Sequence, residues 1–281
     1  MSHFIAKTRQ HRRKLAEPMG DTDPYVPDGD RPVRVRARAL TADTHFEPHR
    51  HAWGQLAYCG TGIVQVFAAP DDPMLQAVSY IVPPSRAVWI PPGMRHAVTV
   101  LETAELRTLY VHADAAPPGW DGSRMIVVSP LLRELVQAMD ADTRRAAEPS
   151  RDQLLIRLVL DELAHADTQT LGVPLPRDKR LRALCEAVLN APGERATLAE
   201  WAANTGASER TVARLFREEL GTTYQQWRQQ AVLAHALPLL ARGTPIAQVA
   251  AATGYASDSA FSAMFKAAMG HPPTRWGAHA H

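Results

Sequence analysis

LAEWAANTGASERTVARLFREELG (198–221) and IAQVAAATGYASDSAFSAMFKAAMG (246–270) are two copies of one pattern, and their reading decides the C-terminal fold. The first apolar residue leads to Gly after 8 positions in each, Ser208 and Ser257 precede Phe216 and Phe265 by 8, and those precede Gly221 and Gly270 by 5. Only the turn between Gly and Ser differs in length, by one residue. Each copy predicts a short helix, a tight turn, a Ser N-cap and a second helix stopped by Gly. Ala199, Ala202, Ala247 and Ala250 allow the two helices to approach closely, and Leu215-Phe216 and Met264-Phe265 seal each small core. This is a helix-turn-helix, written twice. Tyr224 to Arg242 predicts a connecting helix of about 28 Å at 1.5 Å rise per residue. A spacer of that size sets two recognition helices into successive major grooves, about 34 Å apart.

The exposed face of the first recognition helix offers Ser208 at its start, then Glu209, Arg210, Ala213, Arg214 and Arg217. Arg210 and Arg214 are the expected base readers, because a guanidinium pairs bidentately with guanine, and Arg217 is the expected phosphate contact. A solvated helix face is the plain alternative for any one of them. The second helix presents Ser257, Asp258, Ser259, Ser262, Ala263 and Lys266, which are poor in long donors, so it is expected to anchor on phosphate more than to read bases.

These residues resemble the AraC/XylS family of transcription regulators over roughly Asp178 to Trp276. The resemblance rests on Leu198-Ala199, on Ser208 with Val212, Arg214, Leu215 and Phe216, on Thr244-Pro245-Ile246-Ala247 with Val249-Ala250, on Gly254-Tyr255, on Phe261 and Phe265-Lys266, and on Gly270 with Pro272-Pro273. It implies a sequence-specific DNA-binding regulator with double-stranded promoter or operator DNA as partner. The family leans toward activation, which brings in RNA polymerase.

The N-terminal half reads differently. Residues 1–30 are polar and rich in Pro and Asp, and are expected to form a flexible arm. From Val33 the chain alternates with period 2, and short runs follow near Gln55, Ile63–Phe67, Val78–Val82, Val88–Ile90, Ala97–Leu101 and Leu106–Val111. Turn residues at Gly60, Gly62, Asp71-Asp72-Pro73, Pro83-Pro84 and Pro91-Pro92-Gly93 separate them, which predicts an all-β sandwich or barrel over 31–118. Two helices are expected in 119–170, over Pro130–Met139 and Arg151–His165. The second places Leu154, Leu155, Leu158, Val159 and Leu163 on one face, to be buried on the barrel or in a homodimer seam. Thr168–Pro176, with Gly172 and two prolines, reads as a linker, assigned to 171–177, ahead of the helical 178–276.

His49-Arg50-His51, Gln55 and His96 are the remaining chemistry. Residues 49 and 51 share a strand face, and the bend at Pro91–Gly93 aims His96 toward them. Three imidazoles with Gln55 as fourth donor suit a divalent Fe, Mn, Ni, Zn or Cu ion; the alternative is a polar pocket of satisfied histidines. The segment resembles the cupin superfamily, whose motifs run His-x-His, a carboxylate and a Gly, then Pro-x-Gly-x-x-His. The resemblance implies a jelly-roll β-barrel that senses a small effector or metal. Asp43 and Ser85 stand where those motifs carry Gly, Gln55 where they carry Glu, and Val100 where they carry Asn. A cupin enzyme is a second function class, but the missing carboxylate and the lack of another acid or base near the motif argue against catalysis. Trp53, Tyr58 and Trp89 are expected to pack the barrel or line a pocket, and His279 and His281 to be incidental.

The composition fits this α+β two-domain reading. Hydrophobic residues make up 46% of the 281 and charged residues 21%, which excludes disordered and fibrous classes. The formal net charge is +2, yet from Arg177 onward 12 Lys and Arg face 8 Asp and Glu, so the positive charge gathers in the half expected to meet a polyanion. Cys59 and Cys185 fall in different halves without a CxxC, so no disulfide or thiolate zinc site is expected. No apolar run approaches the ~20 residues needed to span a bilayer, and no secretory signal opens the chain, so a cytoplasmic protein without membrane contact is expected.

Overall fold

The computed structural model of the protein describes residues 15–17, 23–72, 76–84, 86–142, 149–169, 172–193, 198–205, 208–270 and 272–277. Among the described residues its N-terminal half is a ten-stranded sheet with two helices between the eighth and ninth strands, and its C-terminal half is helical. The strands are β1 (Leu15–Glu17), β2 (Val33–Leu40), β3 (Thr44–His49), β4 (Gly54–Ala69), β5 (Ala77–Val82), β6 (Arg86–Ile90), β7 (Arg95–Val111), β8 (Arg124–Val127), β9 (Thr168–Gln169) and β10 (Val173–Leu175). The helices α1 (Pro130–Asp142) and α2 (Pro149–Ala164) lie between β8 and β9. None among the described residues is long and apolar enough to cross a membrane.

β4 and β7, the two longest strands, pair antiparallel from Gly54↔Val111 to Ala69↔Arg95. Each changes its second partner along its length. β7 carries β2 on its later half and β3 on its earlier half, while β4 carries β6 and then β5. The long pair switches neighbours midway, and the strand order β1-β3-β7-β4-β6-β8-β9 does not close on itself, where the cupin resemblance implies a closed barrel. The switch falls on an irregular stretch, with register shifts between Cys59 and Val64. Before it, Ala57 and Cys59 enter the same core as Val88 and Ile90; after it, Val64, Val66 and Ala68 do. The inward parity has changed from odd to even, as unpaired bulge residues require. Gly62 sits in this stretch with φ +73°, and a Cβ there would lie 2.2 Å from the Thr103 carbonyl oxygen. Asp43, where the motif it resembles carries Gly, is the one described non-glycine residue in the left-handed region, at φ 67°. Its backbone N–H is held by the Val100 carbonyl at 2.9 Å.

The other face of β4 explains the α1–α2 hairpin. Leu56 and Tyr58 form a second core with Trp89, Leu109, Leu132, Val136, Leu155, Val159 and Leu163. β4 and β6 are therefore buried on both faces here, which is why their runs are continuously apolar. The five apolar α2 residues expected on one face divide. Leu155, Val159 and Leu163 are buried against the sheet, whereas Leu154 (61% exposed) and Leu158 (46%) face outward, with Leu131 of α1 (49%) exposed as well. A stripe that wide spans more of the helix circumference than one packing face covers.

Two further expectations are corrected. Thr168–Pro176 is no free linker: β9 pairs with β8, and β10 pairs antiparallel with β5 through Val173↔Ser79 and Leu175↔Ala77. The Val-Pro-Leu alternation buries Val173 and Leu175, and Pro174 is tolerated because β10 is paired on one side only. Within the expected arm 1–30, Leu15–Glu17 pairs in parallel with β3, because the β3 edge offers unpaired backbone groups. Residues 1–14 and 18–22 of that arm, Ser85, and His279 and His281 lie outside the described residues.

The C-terminal helices are α3 (Lys179–Asn190), α4 (Leu198–Thr205), α5 (Glu209–Leu220), α6 (Tyr224–Ala241), α7 (Ile246–Ala252), α8 (Asp258–Met269) and α9 (Thr274–Gly277). α6 supplies both small cores. Trp227, Ala231 and Ala234 pack with Val212, Phe216 and Leu184; Leu233, Leu237 and Leu240 pack with Val249, Phe261 and Phe265. From Ala231 onward it is apolar nearly all round, because it is buried on opposite sides there. The sheet also joins the first of these cores, through Val173, Leu175, Phe67 and Ile81. Trp227 Nε1 donates to the Pro174 carbonyl at 2.7 Å, Arg242 pairs with Glu102, and the Gln76 amide donates to the Glu219 carbonyl. Cys59 and Cys185 are both buried and free, in separate cores, and burial pushes the Cys59 thiol up to about 12.

Gly62→Ala is expected to destabilise the sheet by more than about 1 kcal/mol, since the methyl meets backbone and the φ is unfavourable. Urea unfolding followed by the fluorescence of the tryptophans checks this, and a midpoint within error of the parent would refute the bulge argument.

Candidate functional site

Each recognition helix is delimited as its sequence dictates. Ser208 caps α5, its Oγ accepting from the Thr211 N–H at 3.2 Å, and Ser257 caps α8 by accepting from the Ala260 N–H at 3.2 Å. Gly221 and Gly270 end the two helices in the left-handed conformation. The helices are equal in length, 12 residues each. Val212, Phe216 and Leu220 bury the inner face of α5, so the register of the outer face is fixed.

That outer face carries the residues the sequence singled out. Ser208, Glu209, Arg210, Arg214 and Arg217 are exposed and Ala213 half-buried. Arg210, Arg214 and Arg217 follow at i, i+4 and i+7, one stripe down the helix. Arg214 pairs with Glu218 at 2.5 Å. Both partners are exposed and Arg precedes Glu, the weaker order at this spacing, so the pair holds the guanidinium by only a few tenths of a kcal/mol.

α8 differs. Ser257, Asp258, Ser259 and Lys266 are exposed, and Ser262 is half-buried. Two of its first N–H groups are already engaged, Ser259 N by Asp258 Oδ1 at 2.8 Å and Ala260 N by Ser257. Asp258 also places a negative charge where the helix end is positive. The N-terminus of α8 is thus a weaker anion holder than its two serines alone imply, and Lys266 is the positive side chain on this helix.

In the sheet, His49 and His96 face each other as register partners on β3 and β7, and His51 follows on the turn into β4. One ring nitrogen from each of the three lies within 4.8 Å of the others. The ring centroids are 4.3 Å apart for His49–His96 and 5.0 Å for His51–His96. Every Nδ1 meets a backbone carbonyl: His49 that of Glu47 at 2.7 Å, His51 that of Trp53 at 2.7 Å, His96 that of Met94 at 3.0 Å. Burial lowers the pKa of all three, His96 to about 3, so the rings are neutral near pH 7. Gln55 Oε1 stands 2.8 Å from His51 Nε2.

The four residues expected to form this site are therefore brought together. Sequence reading missed Tyr110, whose ring lies 5.9 Å from His51 because β7 places it opposite Gln55. It missed the three carbonyls as well, since backbone acceptors have no side-chain signature. Trp53 stacks flat on His51, centroids 5.0 Å apart, while Trp89 packs in the core and donates to the Trp120 carbonyl at 2.9 Å.

Two family models match the chain. Residues 31–159 match the AraC-like ligand binding domain and residues 201–279 a helix-turn-helix domain. The HTH-type transcriptional regulator NimR of Escherichia coli (strain K12) is 34% identical over 255 residues, 90% of either chain. The HTH-type transcriptional regulator RipA of Corynebacterium glutamicum is 31% identical over 101 residues, 36% of this chain and 30% of that one. Among solved structures, ToxT from Vibrio cholerae O395 aligns over 88% of this chain and 97% of its own at 13% identity, with a TM-score of 0.36. With a duplicated helix-turn-helix unit behind a ligand-binding sheet, and full-length likeness to a transcriptional regulator, the chain belongs to the AraC family of DNA-binding transcriptional regulators.

Proposed function

We propose that the protein activates transcription from a promoter by placing α5 and α8 in successive major grooves of double-stranded DNA, in contact with RNA polymerase. The observation that carries this reading is the exposed Arg210–Arg214–Arg217 stripe on a helix capped at both ends and locked in register by Val212 and Phe216. Arg210 and Arg214 read guanine edges, and Arg217 rests on phosphate. Glu209 offers an acceptor for a cytosine amine, Ala213 a methyl contact for thymine, and Ser208 a hydroxyl for phosphate. On α8, Ser257, Ser259, Ser262 and Lys266 hold the backbone, with Asp258 limiting the grip. α6, about 27 Å long for its 18 residues, spaces the two helices.

The sheet half holds the effector, a small molecule or a metal ion. It biases DNA binding only as far as it binds two arrangements of the halves unequally. Contacts that carry such a bias are the Trp227–Pro174 hydrogen bond, the Arg242–Glu102 ion pair and the Gln76–Glu219 hydrogen bond. Leu131 of α1 and Leu154 and Leu158 of α2 are exposed, and in this reading they meet a second copy of the chain in a cytoplasmic homodimer.

A footprint on DNA flanking the protein's own gene, at low and moderate salt, is expected to protect two adjacent major grooves one turn apart. In the same assay Arg214→Ala loses discrimination at one or two base pairs, by about 1–3 kcal/mol each; unchanged preference in a binding-site selection would remove Arg214 from base reading. Asp258→Asn is expected to tighten binding to all sequences alike at low salt, with the gain shrinking as salt rises. An equal salt response in parent and variant would place Asp258 away from the phosphates. Leu154→Glu combined with Leu158→Glu is expected to give a folded monomer by sedimentation, and a persisting dimer would put the seam elsewhere.

A further inference from the structure

The side of the sheet turned away from the histidine cluster carries a cleft that neither half forms alone. Phe46, Val64, Val66, Tyr80 and Val98 point into the sheet core, so the residues alternating with them, among them His45, Gln65, Phe67, Ser79 and Thr99, face the opposite way. Helices α3 and α6 cover that face without filling it. One hollow of about 430 Å³ lies between these residues and Arg182, Glu186 and Leu189 of α3. A second of about 270 Å³ lies between Ile63, Ile81 and Leu101 of the sheet and Ala231, His235 and Leu239 of α6. The two adjoin, because Gln65 and Leu189 line both. The larger alone falls in the size range of small-molecule sites. Arg182 and Glu186 stand one helical turn apart on α3 and both line it, yet they do not pair. Arg before Glu is the weaker order at this spacing, and Arg182 is drawn elsewhere. Its Nε donates to the Pro176 carbonyl at 2.9 Å, and its guanidinium lies 5.7 Å from the centre of the Phe67 ring. Among the described residues no cation meets the Glu186 carboxylate and no carboxylate meets Arg182. The smaller hollow is mostly apolar, and its two charged side chains, Arg242 and Glu102, pair with each other. Its His235 ring has no hydrogen-bond partner among the described residues, and burial lowers the His235 pKa, so the ring is neutral near pH 7.

We infer that this cleft binds a free α-amino acid with a large apolar side chain, its carboxylate on Arg182, its ammonium on Glu186 and its side chain in the smaller hollow past Gln65 and Leu189. An α-amino acid carries both charges on one carbon, which matches two opposite, unpaired charges whose Cβ atoms are ~5–6 Å apart on one helix face. A simple carboxylate would leave Glu186 without a partner, and a simple amine would leave Arg182 without one. With Nε engaged by Pro176, the two terminal nitrogens of Arg182 remain to take a carboxylate. The walls made by Ile63, Ile81, Leu101 and Leu239 favour a branched or aromatic side chain over a polar one. Leu101 is 42% exposed, and such a side chain covers it. The ligand touches the sheet on one side and α3 and α6 on the other, so it favours the arrangement in which the halves are docked. That consequence for DNA rests on the regulator reading above, whereas amino-acid binding does not depend on it and is measured without DNA.

The test is calorimetric titration of the full-length protein with L-phenylalanine, beside 3-phenylpropionate, which lacks the ammonium, and phenethylamine, which lacks the carboxylate. L-phenylalanine is expected to bind with a Kd below ~1 mM, and each comparator at least ~10-fold more weakly. Glycine, which leaves the smaller hollow empty, should also bind at least ~10-fold more weakly. Glu186→Gln should weaken L-phenylalanine by ~10-fold or more without weakening 3-phenylpropionate. Arg182→Gln should weaken both carboxylates and leave phenethylamine unchanged. Glu134→Gln, which removes an exposed carboxylate on α1, should change nothing. The inference is overturned if neither L-phenylalanine nor L-leucine binds up to ~10 mM, or if either comparator binds as tightly as L-phenylalanine. It is equally overturned if Glu186→Gln or Arg182→Gln, with circular dichroism matching the parent, binds L-phenylalanine as the parent does. Equal binding of glycine and L-phenylalanine overturns the placement of the side chain.

Discussion

The antiparallel ladder between β4 and β7 is the constraint on which the rest depends. It puts Gln55 opposite Tyr110 at one end and Ala68 opposite His96 at the other, so the histidine cluster and the aromatic residues around it are set by a single register. The bulged stretch around Gly62 shifts inward parity from Ala57 to Val64, and both ends of β4 reach the same core. Without it, one half of β4 would turn its apolar residues outward. The same ladder offers its outer faces to different clients. Leu56 and Tyr58 take the α1–α2 hairpin, and Phe67 takes the C-terminal helices.

A second dependence runs through α6. One helix closes both small cores, so neither helix-turn-helix unit is complete without it. Trp227 connects that helix to β10 through Pro174, and β10 is itself a strand of the sheet. The path from histidine cluster to recognition helix is therefore a chain of packed, hydrogen-bonded elements. A sheet strand occupies the stretch where the sequence suggests a flexible tether. Physical contiguity of this kind makes coupling between the halves available to any ligand that binds their arrangements unequally.

The recognition helices were legible because their signals are local. A Ser cap, an apolar residue every three or four positions and a terminal Gly specify a helix without reference to the rest of the chain. The exposed arginines follow from which side is apolar. The histidine cluster was legible as a set of residues from their spacing, but its ring tautomers were not. They depend on the carbonyls of Glu47, Trp53 and Met94, which only the backbone path places. Tyr110 was hidden for the same reason, since it is distant in sequence and joined to the site by register alone.

The sequence by itself determined the two-part architecture, the doubled helix-turn-helix and the residues that converge at each site, since periodicity, caps and turn residues act over a few positions. Tertiary structure decided what depends on distant partners. It made Val173–Leu175 a strand by giving it the β5 edge, and it gave β4 and β7 different neighbours along their lengths. It also turned Leu154 and Leu158 outward while Leu155 and Val159 were buried, because a helix has one packing face and the sheet beneath covers only that much of it.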